Sequence, residues 1–186
     1  MSTQAKRNYL EFINRLLKTI SRNTKIYTIG HIETTTSIYP FYKMILGLDN
    51  PKRVLISAGI HGDEPSGFEA IYSFLESGRY QAYLDEWEIT ILPCINPYGF
   101  EYNTRENYDN KDLNRLFKDH LPPKEVQLAQ TTIKPSYFDL TLELHEDCDS
   151  DGYYLFQKSN KPNGIKIGVR IIKALKKIIP INLNKS

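Results

Sequence analysis

The tetrad His61-Gly62-Asp63-Glu64 follows directly on an apolar run, residues 54–60, and a second histidine, His145, closes another, residues 138–144. Two strand ends that each deliver an imidazole, one with a carboxylate three positions on, can surround a single cation. Zinc accepts imidazole nitrogen and carboxylate oxygen, and catalytic zinc sites use three protein ligands with the fourth position left for water. His61, Glu64 and His145 are therefore the candidate ligands of a metal-assisted hydrolase. A His-x-x-Glu pair converges only if the backbone bends sharply, and Gly62 permits a bend. The competing reading makes His61 a loop residue and Glu64 a cap for the helix that follows, since patterns this short recur by accident. The strand-end placement of His145 favours the joint metal site.

The elements that must position these groups can be read along the chain. Tyr9, Ile13, Leu16, Leu17 and Ile20 recur at helical spacing and predict an amphipathic opening helix. Residues 25–30 and 37–46 read as strands of a hairpin around Thr34-Thr35-Thr36, and Asp49-Asn50-Pro51 as a turn. Residues 54–58 have the continuous apolar character of a strand buried on both faces. A helix is expected from Pro65, burying Phe68, Ala70, Ile71, Phe74 and Leu75 and ending at Gly78. A strand over 88–93 leads into a polar loop over 96–115. A helix over 126–133, a second buried strand over 138–144, a short strand over 153–156 and a final helix over 165–179 complete the pattern. Strands alternating with helices predict an α/β fold, a mixed and mainly parallel sheet flanked by helices, read as one domain over 1–186. Ligands of such folds collect at the carboxyl ends of strands, where both histidines fall.

Bulk properties exclude several function classes. A composition of 40% hydrophobic and 25% charged residues is that of an ordinary globular protein. A net charge of +2 gives no electrostatic case for nucleic acid or an anionic membrane. The lysines and arginines between Lys158 and Lys177 recur at helix-like spacing and read as a solvated helix face. Cys94 and Cys148 are the only cysteines, which points to a reducing, cytoplasmic setting. The first seven residues carry no apolar signal segment, and no stretch reaches the length of a membrane span.

Four motifs in one order also resemble a known family. His61-Gly62-Asp63-Glu64-Pro65, Asn96-Pro97-Tyr98-Gly99, Asp112-Leu113-Asn114-Arg115 and Leu142-Glu143-Leu144-His145-Glu146-Asp147 look like the zinc carboxypeptidases. The likeness is greatest to their branch containing succinylglutamate desuccinylase, aspartoacylase and murein-peptide amidases, and it runs from about residue 53 to 156. The resemblance implies zinc held by His61, Glu64 and His145, and a peptide or N-acyl amino acid as substrate. It implies that Asn114 and Arg115 hold the substrate's free carboxylate, which suits a guanidinium fork. Arg105 matches the family's carbonyl-polarising arginine. Tyr98, Tyr102 and Tyr108 could line a pocket. Asp112 is expected to order the loop, and His31 and His120 to be structural or exposed.

One part of the family pattern is missing. Its general base is a glutamate on a strand beyond the second histidine, and no glutamate follows Glu146 here. Glu143 and Asp147 would share the face of His145 on an extended strand and could orient it, with Glu146 turned away. Asp147, Asp149 and Asp151 form an acidic turn. Relatives continue with further strands, so the sheet is expected to have an exposed edge through which the chain could self-associate. The alternative to a hydrolase is thus an inactive metal- or peptide-binding domain.

Overall fold

A computed structural model describes residues 7–20, 24–160 and 167–182. The chain divides into two compact units, Met1–Glu146 and Asp147–Ser186. The first holds a five-stranded sheet, β1 (Thr24–Glu33), β2 (Ile38–Leu46), β3 (Lys52–Ala58), β4 (Trp87–Leu92) and β5 (Leu140–Leu144), in the order β1-β2-β4-β3-β5. β2 runs antiparallel to both β1 and β4, while β3 is parallel to β4 and β5. The sheet is mixed, as the alternation of elements predicts, and its parallel half carries the two histidines.

Helices α1 (Tyr9–Thr19), α2 (Ser66–Glu76), α3 (Pro97–Tyr102) and α4 (Lys124–Ile133) complete this unit. Asn8 caps α1 by accepting from the Glu11 N–H, and Tyr9, Phe12, Ile13 and Leu16 form its buried face. Phe12, Phe68 and Phe100 meet ring to ring at 4.6–5.6 Å, locking α1, α2 and α3 together. Central strands β3 and β4 are largely buried, the mark of a sheet covered on both faces.

Several expectations need correction. Ala70 is exposed, and Gly67 takes its place on the buried face of α2. Phe74 is only half-buried. The polar loop contains α3, which begins where Asn96 caps it through the Gly99 N–H and Pro97 fits the first turn. β5 is not buried on both faces: Leu140, Leu142 and Leu144 are half-buried, and Thr141 and Glu143 are exposed. An alternating Leu-x-Leu-x-Leu pattern is what one covered face requires.

The second unit contains α5 (Ile167–Leu175), with residues 161–166 outside the described set, so the start expected for that helix is not covered. In place of a strand over 153–156 there is a single parallel bridge between Tyr153 and Ile181. No described helix is long and apolar enough to cross a membrane.

Candidate metal centre

β3 ends at Ala58, and its pairing with the next chain segment continues past that end. The N–H groups of Ile95 and Asn96 donate to Ala58 and Gly59 at 3.1 and 2.7 Å. The turn toward His61 is made at Gly59, which has a φ of +64°, a conformation that side chains disfavour. Gly62 serves differently from what its position suggests. A Cβ there would meet the backbone of Gly99 and Phe100 at 1.8–2.4 Å, so the loop lies directly on α3. His145 follows β5 immediately, beside β3 in register, and thus reaches the same end of the sheet.

Glu64 lies between the two imidazoles. His61 Nδ1 is 2.7 Å from its Oε1, and His145 Nδ1 is 2.8 Å from its Oε2. The Glu146 N–H also donates to Oε2, at 3.1 Å. Glu64 does not cap α2. The N–H and hydroxyl of Ser66 are taken by the Glu146 side chain at 3.0 and 2.7 Å, a carboxylate at a helix N-terminus. His61 is 2% exposed, so its polar contacts must be made within the protein.

Each imidazole has a carboxylate on its far nitrogen. Asp112 Oδ1 is 3.1 Å from His61 Nε2, and Glu143 Oε1 is 3.6 Å from His145 Nε2. A carboxylate can only accept. With a cation bound, Asp112 and Glu143 would keep the proton on each Nε2 and free Nδ1 for the ion, the usual support of metal-binding histidines, whereas without metal each Nδ1 faces Glu64. Among the described residues, one ligand atom each from His61, Glu64 and His145 lie within 4.8 Å of one another. Two Nδ1 atoms and a carboxylate oxygen, this close and supported from behind, suit a divalent cation that takes nitrogen and oxygen donors.

Arg105 joins this group. Its Nε and Nη2 donate to Asp112 Oδ2 at 3.2 and 3.1 Å, and its Nη1 lies 3.5 Å from Glu64 Oε1. The Asn96 side-chain amide donates to the Arg105 and Glu106 carbonyls at 3.3 and 3.1 Å and so fixes the segment. Buried Asn107 donates to buried Glu125 at 3.1 Å, tying the same loop to α4. Asp112 orders the loop as expected, accepting from the Asn114 N–H at 3.0 Å, and it also reaches His61. Arg115 is more outlying: its side chain is 71% exposed and its Nε is 4.0 Å from Asp112 Oδ2. Asn114 is half-buried beside it.

Of the remaining candidates, Tyr98 and Tyr102 stack at 4.5 Å with Tyr108 edge-on to Tyr98 at 5.2 Å. His31 and His120 are exposed. Asp147 accepts from the Tyr154 hydroxyl at 2.7 Å and from the Asp149 N–H at 2.9 Å, as in a closed acidic turn.

Burial alone would raise the pKa of Glu64, but hydrogen bonds from His145, His61 and the Glu146 N–H outweigh it and hold its pKa at about 2. Glu143 and then Glu64 push His145 up to about 9. The metal-free protein should accordingly be most stable between about pH 4.5 and 6.5, the ordinary values of the two groups. Glu64 is depressed, so its contribution is complete above 4.5 and is lost as pH falls toward 2. His145 is raised, so its contribution is complete below 6.5 and is lost as pH rises through 9. Melting temperatures of chelator-treated protein across this range test the window. A maximum above pH 8 would contradict it.

Comparison with known proteins gives a consistent result. Carboxypeptidase M of Mus musculus is 32% identical over 111 residues, 47% of this chain and 25% of that protein. Carboxypeptidase SOL1 of Arabidopsis thaliana is 27% identical over 151 residues, 69% of this chain and 30% of that protein. The chain thus spans 25–30% of the length of these curated relatives. The solved structure of a metallopeptidase candidate from Shewanella denitrificans superposes with a TM-score of 0.71 at 25% identity, over 89% of this chain and 63% of that one. The model of the succinylglutamate desuccinylase/aspartoacylase catalytic domain matches residues 50–185, so the chain belongs to that family, within the metallocarboxypeptidase fold.

Proposed function

We propose that this protein is a zinc-dependent hydrolase that cleaves an amide bond next to a free carboxylate, in a peptide or an N-acyl amino acid. The observation that carries this reading is the convergence of His61, Glu64 and His145 at the carboxyl ends of β3 and β5, with their donor atoms within 4.8 Å of one another. Zinc, when bound, supplies a Lewis acid for the scissile carbonyl and makes water a stronger nucleophile near neutral pH.

The protein's own groups supply binding and orientation. Asp112 and Glu143 hold the two imidazoles from behind. Arg105, with its orientation fixed by Asp112 and Glu64, can present N–H groups to the carbonyl oxygen as charge builds on it. The exposed guanidinium of Arg115, beside Asn114, suits the substrate's carboxylate, which it can grip through two parallel hydrogen bonds.

The attacking water also needs a proton acceptor, and each carboxylate at the centre has another task. Asp112 is held by His61 and Arg105, Glu143 stands behind His145, and Glu146 caps α2. This commitment favours a second reading, a domain that binds metal and a carboxylate-bearing ligand without turnover. The two separate in one experiment on the full chain: zinc content is measured, then hydrolysis of N-acetyl and N-succinyl amino acids and of short peptides. Zinc with turnover of carboxylate-terminated substrates, lost when their carboxylate is amidated, supports the hydrolase. Zinc without turnover supports the binding domain, and a folded protein that takes up no zinc refutes both.

A further inference from the structure

We propose that Arg7, which lies outside the stretch shared with the family, is a positioning residue for the metal centre: its guanidinium holds the His61–Glu64 loop at the angle from which both side chains meet a cation. The inference rests on the metal-centre reading above and adds a residue to it.

Gly62 is buried, so its carbonyl requires a donor inside the protein. Arg7 Nη1 supplies one at 2.9 Å and lies 3.5 Å from the Phe100 carbonyl, while Nη2 donates to the Asn103 side chain. The Arg7 backbone N–H donates to the Glu101 carbonyl at 3.0 Å. The carbonyls of Phe100 and Glu101 belong to the last turn of α3, where a helix has no partners of its own and a cation is favoured. Arg7 therefore grips two backbones at once, the metal loop and the end of α3, across the contact where Gly62 presses on Gly99 and Phe100.

The residue is itself held in place. Its guanidinium carbon sits 5.5 Å over the Phe100 ring, and α1 follows two residues later. Tyr9, Phe12, Ile13 and Leu16 anchor that helix with at most 4% exposure, and the Tyr9 hydroxyl donates to the Pro40 carbonyl at 2.6 Å. The lever is short. His61 is one residue from Gly62 and Glu64 is two. If the Gly62 carbonyl lost its donor, the peptide would rotate toward water and turn two of the three proposed ligands with it.

The test measures zinc dissociation constants by competition with a chromophoric chelator, together with the melting temperature of the metal-free protein. The variants are Arg7→Gln, Arg7→Lys and, as control, Leu16→Ala, which loosens α1 without touching Gly62. Arg7→Gln should weaken zinc by about tenfold, at the lower end of what losing an outer partner costs. Arg7→Lys should fall between it and the wild type, because an ammonium keeps the charge but cannot fork. Leu16→Ala should lower the melting temperature more than Arg7→Gln does and leave zinc affinity unchanged. Unchanged affinity in Arg7→Gln, with a wild type that binds zinc, overturns this inference alone. So does Leu16→Ala weakening zinc in step with lost stability, since the effect would then be general loosening. A wild type that takes up no zinc removes the metal centre as well.

Discussion

Alanine in place of His61 is expected to abolish zinc-dependent stabilisation of this protein, a larger loss than that from removing an outer partner such as Asp112 or Glu143. A ligand that binds only the folded state raises stability by mass action, by about 2.7 kcal/mol at one hundred times its dissociation constant. The wild type should therefore melt at a clearly higher temperature with zinc than with chelator. In His61→Ala one imidazole donor is gone, and two ligands from the centre cannot hold the ion in competition with water. The loss of affinity should exceed the roughly 10–100-fold that follows removal of an outer partner. The metal-free variant should also be less stable than the metal-free wild type, because Glu64 and Asp112 each lose a partner. For that reason the informative quantity is the difference between melts with and without zinc, measured for each variant. A His61→Ala protein with an undiminished zinc-dependent rise would place the metal elsewhere.

The convergence of His61, Glu64 and His145, the proposed ligands, was legible because each follows a strand whose end could be read from apolar runs. His61 follows residues 54–60, His145 follows residues 138–144, and a strand end fixes where a side chain emerges far better than loop sequence does. Glu143 behind His145 followed from strand alternation, but the supporting contacts of Asp112 and Arg7 were not legible in the same way. Asp112 is 51 residues from His61, and Arg7 is 55 residues from Gly62. Nothing in local periodicity reports a meeting at such separations. It depends on how α3 and the loop after it lie on the end of the sheet. The misreadings have physical causes too. Asn96-Pro97 is a helix start, and the polarity of the surrounding residues concealed it. The alternation in Leu140, Leu142 and Leu144 marks a strand covered on one face, a signal outweighed by the apolar content of the run. Gly62 invited a conformational explanation, whereas the reason for a glycine there is the backbone of α3, which leaves no room for a side chain.

Arg105 should be the residue whose loss most reduces turnover while leaving the metal in place. A guanidinium has five N–H groups. Here three of them point to carboxylates, Nε and Nη2 to Asp112 and Nη1 to Glu64, which leaves one on each terminal nitrogen for a substrate. Its side chain is 38% exposed, open enough to meet a carbonyl oxygen and held firmly enough to need little reorganisation as charge develops. Removing one donor of this kind typically costs about 10²–10³ in kcat, or roughly 2.7–4 kcal/mol of barrier. Arg105→Met should show that loss with little change in KM, since the interaction strengthens on the way to the transition state. Arg105→Lys should recover only part, because an ammonium cannot hold two carboxylates in the same plane while facing a third group. Arg115→Ala should do the reverse, raising KM for substrates with a free carboxylate and barely affecting their amides. The assignment of Arg105 fails if Arg105→Met keeps wild-type kcat with full zinc content. If instead zinc is lost together with activity, its contacts to Asp112 and Glu64 are what matter, and Arg105 belongs to the frame of the centre.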